Sequence, residues 1–428
     1  MRELKESGIE WIGKIPKNWH LLKLKYFAEK AERGTSPEYT EDENMTRVVN
    51  QATFSKGVFD TSKQRYSTKP AETSRGLLVP GDVLVASTGG GVLGKTYYFD
   101  EPDIYVADGH VTIVRVKPTT ASSKYLRYYL SVNYETINVM FAEGSTNQTE
   151  LQGDLFNNML FPFPPLPEQH AIATHLDRKC SEIDRIATGI QAEIETLESV
   201  RTTAISEAVT HGLDKTIPMR ESGARWCMTI PAHWEMIPSK YLFHNSDLRK
   251  QEGDEQLTAS QKYGIITQED YMERENASIV LANKGLEDWK HVEPYDFVIS
   301  LRSFQGGLEM SEVTGCITWH YVVLKASRPI CHRFYKWLFK SAQYINALQG
   351  TCNFIRDGQD LRFSNFAQVP LFVPPMEEQE AIADYLDSKC AEIDAAIADK
   401  REQLTTLEEY KKSLIFEYVT GKKEVPVA

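Results

Sequence analysis

Two stretches of the chain carry apolar or small residues at steps of mostly three and four. The first places Ile172, Leu176, Cys180, Ile183, Ala187, Ile190, Ile194, Leu197, Ala204 and Ala208 in one line, and the second Ile382, Leu386, Cys390, Ile393, Ile397, Leu404, Leu407, Leu414 and Tyr418. This is the seam spacing of a coiled coil. The first pattern lapses at the polar Arg201, the second at Lys400 and Lys411. The run from Glu168 to Thr210 is free of proline and 43 residues long, so as a single helix it spans ~65 Å. A helix with one apolar stripe must bury it. The natural partner is the other stretch, and pairing within one chain predicts an antiparallel coil.

The intervening segments have a different rhythm, with short β-prone runs set off by turn residues. Thr46–Ala52, Gly81–Ser87, Lys95–Phe99 and Gly109–Val116 read as strands, and Pro80-Gly81-Asp82 introduces the second of them. Later in the chain Pro294-Tyr295-Asp296 introduces Phe297–Ser300, and Trp319–Lys325 parallels Val111–Lys117. A helical patch follows each set, Ser123–Phe141 and His332–Leu348. The predicted class is α+β: two domains with mainly antiparallel β-sheet, separated by two long helices that form an antiparallel coiled coil. The expected boundaries are 1–163 for the first domain, 164–214 for the first helix, 215–373 for the second domain and 374–428 for the second helix.

The two halves also repeat in sequence. Pro165-Leu166-Pro167-Glu168-Gln169-His170-Ala171-Ile172-Ala173 returns as Pro375-Met376-Glu377-Glu378-Gln379-Glu380-Ala381-Ile382-Ala383, an offset of 210 residues. Each half opens on a weaker echo: Ile15-Pro16-Lys17-Asn18-Trp19 against Ile230-Pro231-Ala232-His233-Trp234, an offset of 215. This period is a whole domain plus a connector, far above that of solenoid repeats. The change of offset puts a length difference of five residues inside the divergent domains.

The formal net charge of −12 argues against nucleic-acid binding until its distribution is read. Residues 1–165 carry 19 basic and 20 acidic side chains, and 215–374 carry 18 of each. The acid is concentrated in 166–214, with 4 basic and 9 acidic, and in 375–428, with 7 and 13. The domains are neutral and can present a basic face; the acidic helices are expected to stay away from phosphates. Six cysteines (180, 227, 316, 331, 352 and 390) show no CxxC pairing and read as reduced core thiols. There is no basic-then-apolar leader, and no apolar run approaches the ~18 residues that cross a bilayer. The expected location is the cytoplasm.

Gly89-Gly90-Gly91-Val92-Leu93-Gly94-Lys95-Thr96 satisfies the phosphate-loop pattern G-x-x-x-x-G-K-[ST], but that loop must open a helix. Here β-prone Tyr97-Tyr98-Phe99 follows, so a glycine-rich turn between strands is expected instead. No H-E-x-x-H, no G-x-S-x-G and no helix-opening G-x-G-x-x-G occurs, which leaves no ground for a catalytic or metal site. Side chains suited to base-edge and phosphate contact do cluster beside glycines. In the first half these are Arg33, Thr35, Ser36, Thr88, Gly89, Lys95, Thr146, Asn147 and Gln148. In the second they are Arg249, Lys250, Arg302, Ser303, Gln305, Thr351 and Asn353.

The doubled Ile-Pro-x-x-Trp openings and the doubled Glu-Gln-x-Ala-Ile-Ala-x-x-Leu-Asp entries into long helices resemble the specificity (S) subunits of type I restriction-modification systems. The resemblance implies two target recognition domains reading the two halves of a bipartite DNA site, with the helices setting the gap. It implies a non-catalytic chain with no cofactor of its own. S-adenosylmethionine, ATP and magnesium would belong to two methyltransferase (M) subunits, which modify adenine N6, and to restriction (R) subunits. The repeated Glu168, Gln169, Glu378 and Gln379 are the expected partner-binding residues. Two other readings stand beside this one: a protein-binding scaffold of two β-rich modules on a coil, and an ATPase using Gly89–Thr96.

Overall fold

The computed structural model describes residues 2–144, 149–278, 285–300, 303, 307–351 and 361–426. The chain divides into two compact units, one of residues 1–190 and 402–428, the other of 191–401. The division cuts across both long helices, Leu166–His211 and Met376–Val419. Each unit therefore holds one domain, the start of one helix and the end of the other.

In the first unit a four-stranded sheet runs in the order Ala28–Arg33, Val111–Val116, Val83–Ala86, Thr96–Tyr98, all antiparallel. A second sheet orders Tyr105–Ala107, Thr46–Val49, Arg65–Ser67 and Tyr39–Thr40; its first pair is parallel. His20–Lys23 pairs with Leu160–Phe163, which joins the entry of the domain to its exit just before the long helix begins. The main core gathers Trp19, Phe27, Tyr125, Tyr129 and Phe161 with Ile172, Leu176 and Cys180 of the first helix and Leu414, Tyr418 and Val419 of the second.

The second unit repeats this plan. Its four-stranded sheet runs Phe243–Ser246, Val322–Ala326, Phe297–Ile299, Glu309–Met310, again antiparallel. Glu235–Ile237 pairs with Leu371–Val373 as the entry-exit clip. The core joins Trp234, Phe243, Phe334, Tyr335, Phe339 and Phe372 to Ile205 and Val209 of the first helix and Ile382, Leu386 and Cys390 of the second.

The polar steps in the seam carry ion pairs between the helices. In the first unit Lys411 Nζ meets Asp184 at 2.5 Å. In the second, Arg201 meets Asp394 at 2.9 Å, Arg401 meets Glu198 at 3.1 Å, and Lys400 pairs with Glu193. From Glu198 with Arg401 to Arg201 with Asp394 in the second unit, and from His175 against Tyr418 to Asp184 with Lys411 in the first, the number rises along one helix and falls along the other, so the pairing is antiparallel in each unit. Both helices end on a glycine with positive φ, Gly212 at +71° and Gly421 at +72°, the left-handed stop that a side chain resists. A Cβ on Gly421 would lie 2.5 Å from Pro16 and 2.9 Å from Trp19, so the helix end rests directly on the Ile-Pro-x-x-Trp segment.

Differences from the sequence reading are local. The first strand stops at Val49 because Asn50 caps a helical turn, Gln51–Phe54, accepting the Ala52 N–H at 2.8 Å. Ser123–Phe141 is two helices, Ser123–Val132 and Tyr134–Met140. Ser341 likewise splits His332–Lys340 from Ala342–Gln349. Trp319 belongs to a turn, closed by the Tyr321 N–H on the Thr318 carbonyl at 3.0 Å, and the strand begins only at Val322. No helix among the described residues is long and apolar enough to cross a membrane.

Candidate nucleic-acid interface

The repeated motifs build the same clamp twice. The Trp19 indole N–H donates to Glu168 Oε2 at 3.1 Å, and the Trp234 indole N–H to Glu378 Oε2 at 2.9 Å. Gln169 accepts the Ser122 N–H at 2.9 Å and donates to the Pro164 carbonyl at 2.9 Å. Gln379 accepts the Cys331 N–H at 2.9 Å and donates to the Pro374 carbonyl at 2.8 Å. Gln169 is 0% exposed and Gln379 2%. Their amides thus sit inside the junction of domain and helix, where they satisfy backbone groups that burial would otherwise leave unpaired. The glutamates stand at the rim: Glu168 also pairs with Arg2, and Glu378 with His233. Eight residues beyond each glutamine, Asp177 accepts from Tyr128 and Lys124, both at 2.7 Å, and Asp387 accepts from Trp337 and Arg333, both at 2.8 Å.

On this shared frame the loops differ. Asp82 binds Arg115 across 33 residues of chain, whereas the matching Asp296 binds Lys325 across 29. Four of the five residues of length difference therefore fall in the stretch that carries the glycine-rich loop of the first half.

Four of the candidate contacts in the first half converge. Thr88 Oγ1 donates to Gln51 Oε1 at 3.0 Å and lies 2.8 Å from His110 Nδ1. Gly89 donates its N–H to the Thr149 carbonyl, and Leu151 donates to the Ser87 carbonyl at 2.8 Å. Arg33 reaches Glu150 at 3.2 Å and the Leu151 carbonyl at 3.3 Å. Thr35 donates its N–H to the Ala107 carbonyl at 3.0 Å, beside the buried Asp108. Burial pushes the Asp108 carboxyl above its ordinary range, while the His110 N–H and the Tyr39 hydroxyl bonded to it act the other way. Ser36 is exposed. Lys95, in the same hairpin loop, has no ion-pair partner among the described residues. Thr96–Tyr98 follows as a strand, so the glycine-rich loop opens no helix. Thr146, Asn147 and Gln148 lie outside the described residues, although Thr149 and Glu150, which follow them, are bonded into this patch. Sequence reasoning missed Gln51 and His110. The signal for each was modest, a polar pair ending a strand and an Asp-Gly-His turn opening one.

The second half brings fewer of its candidates together. Arg249 is exposed; its Nη1 donates to the Asp288 carbonyl at 2.6 Å, and Lys250 Nζ to the Gln251 carbonyl at 3.0 Å. Ser303 is buried and its hydroxyl accepts the Ser300 N–H at 2.8 Å, so it holds the loop from within. Thr351 donates to the Leu348 carbonyl at 2.7 Å. Arg302, Gln305 and Asn353 lie outside the described residues. An unforeseen feature is Trp319, 53% exposed and stacked on His320 at 3.5 Å.

Among the described residues no group of three or more His, Cys, Asp or Glu could hold a metal ion. Cys180, Cys227, Cys316 and Cys390 are buried and free; burial pushes the Cys227 and Cys316 thiols up to about 11, away from reactive thiolate. Cys352 lies outside the described residues.

Residues 16–196 match the family model of the type I restriction modification DNA specificity domain. A curated type I restriction enzyme specificity subunit of Haemophilus influenzae is 30% identical over 144 residues, which is 34% of this chain and 33% of that one. The matched segment is thus about a third of the relative's length. Among solved structures, a chain from work on assembly and conformational transition of a type I system aligns over 96% of this chain and 99% of its own, with a TM-score of 0.68 and 15% identity. The HsdS subunit of Thermoanaerobacter tengcongensis aligns over 96% and 98%, with a TM-score of 0.51 and 15% identity. At that identity the likeness establishes the fold.

Proposed function

We propose that this chain, which carries the type I restriction modification DNA specificity domain across residues 16–196, is the DNA-reading subunit of a type I restriction-modification complex. Each domain reads one half of a bipartite duplex site, the first through the patch around Arg33, Thr88 and Gly89 and the second through its counterpart around Arg249. The paired helices set the gap. The chain performs no chemistry itself. Two methyltransferase subunits, bringing S-adenosylmethionine, dock on the repeated frame around Glu168 and Glu378, with Gln169 and Gln379 holding that frame rigid beneath them. Restriction subunits bring ATP and magnesium, and the assembly works in the cytoplasm.

One observation carries this reading: a single frame, clamped by the same Trp-Glu-Gln set in both halves, supports loops that differ in length and chemistry. A frame that repeats while its loops diverge suits one kind of partner met twice and two different half-sites. The test is duplex binding by the chain assembled with its methyltransferase subunits, measured across salt concentrations. Affinity should fall log-linearly with salt, each phosphate contact adding roughly −0.9 to the slope. Salt-independent association, or none with any duplex, would favour the protein-binding scaffold.

A further inference from the structure

Thr88 links two side chains that both reach the surface of the glycine-rich patch. Its Oγ1 donates to Gln51 Oε1 at 3.0 Å and lies 2.8 Å from His110 Nδ1. A hydroxyl owns one proton. With that proton on Gln51, Thr88 accepts from His110, which then carries its own proton on Nδ1. The exposed His110 ring is left with Nε2 as a lone-pair acceptor. Gln51, its oxygen engaged, is left with its amide nitrogen as a donor. Neither Gln51 Nε2 nor His110 Nε2 has a partner among the described residues.

Both ends are held in place. The His110 N–H is fixed on Asp108 Oδ1 at 2.8 Å. Gly89, at φ +93°, leaves room for the Gln51 amide, since a Cβ there would lie 3.1 Å from Gln51 Nε2. The chain of bonds can also run backwards, Gln51 donating to Thr88 and Thr88 to His110. The free donor and acceptor then exchange places, but there is still one of each.

We propose that Gln51 and His110 determine the base read at one position of the first half-site, and that this base is adenine. In the major groove adenine offers an acceptor, N7, beside a donor, the N6 amino group. That edge matches one free donor and one free acceptor. Guanine offers two acceptors there, cytosine only a donor, and thymine an acceptor and a methyl group. Among the described residues the second half is arranged differently: its matching turn carries His320, with Nδ1 3.2 Å from Thr318 Oγ1 and Trp319 stacked on the ring. The turns at His110 and His320 thus present different side chains. The inference rests on the DNA-reading function proposed above.

The test uses the chain assembled with its methyltransferase subunits and a randomised duplex library, with bound duplexes sequenced. The wild type should hold one position of the first half-site to adenine. Thr88→Val, nearly the same shape without the hydroxyl, should relax that position and leave the second half-site intact. Thr88→Ser should keep it. Replacing that adenine with 7-deazaadenine should weaken wild-type binding roughly ten-fold and leave an assembly that carries both Gln51→Ala and His110→Ala unaffected. A first half-site with no fixed adenine, or one that Thr88→Val leaves unchanged, overturns the assignment. A wild-type assembly that enriches no duplex overturns the DNA-reading function beneath it.

Discussion

Gln169 and Gln379 show how a repeated residue can be structural without being apolar. Each amide closes two backbone groups at the point where a domain meets its helix. Removing the side chain leaves a buried N–H and a buried carbonyl without partners, at about 1–3 kcal/mol for each unpaired group. Gln379→Leu should therefore lower the stability of the second domain by roughly 2–4 kcal/mol, read as a downshift in its denaturant midpoint. An exposed change nearby, Glu380→Ala, should cost under ~0.5 kcal/mol. The repetition of Glu-Gln was legible in the sequence, where all four residues were read as partner-binding. The burial of Gln169 and Gln379 was not, because polarity at a helix start points equally to a surface and to a capped junction. Gln51 and His110 were illegible for a different reason. What gives them meaning is Thr88, 37 and 22 residues away in the chain, and only the folded sheet brings the three together.

Most of the elements could be read from the pattern alone. β-prone runs and turn residues placed Val83–Ala86, Thr96–Tyr98, Val111–Val116 and Phe297–Ile299 within a few residues, because these strands are rich in β-branched and aromatic side chains. The parallel pairing of Tyr105–Ala107 with Thr46–Val49 was hidden, since no local signal distinguishes it. The polar breaks in the helical seam proved to be its register. Arg201, Lys400 and Lys411 each meet a carboxylate on the opposite helix. Such half-exposed pairs contribute little energy singly, but a one-turn slip would misalign all of them. A spacer change must therefore be made on both helices. Inserting seven residues after Glu195 and seven after Ala398 keeps the apolar phase and adds ~10 Å of helix. The recognised site should gain about three base pairs in its gap with both half-sites unchanged. Methylation mapping of the host genome checks this, and an unchanged gap would remove the helices from the role of ruler.

At the scale of the whole molecule, the chain is a duplicated frame with two sets of loops. The frame consists of the sheet order, the entry-exit clip, the Trp-Glu-Gln clamp and the helix ends, and all of these recur. Four of the five residues of length difference fall between Asp82 and Arg115, the stretch that carries the glycine-rich loop. Recognition in this account is modular: each domain reads its own half-site, and the common frame serves the common partners. The most direct measurement is a methylome comparison after exchanging residues 30–150 for the corresponding segment of another chain with the same frame. The account predicts that one half of the methylated sequence changes while the other half and the gap persist. A change in both halves, or in neither, would contradict it.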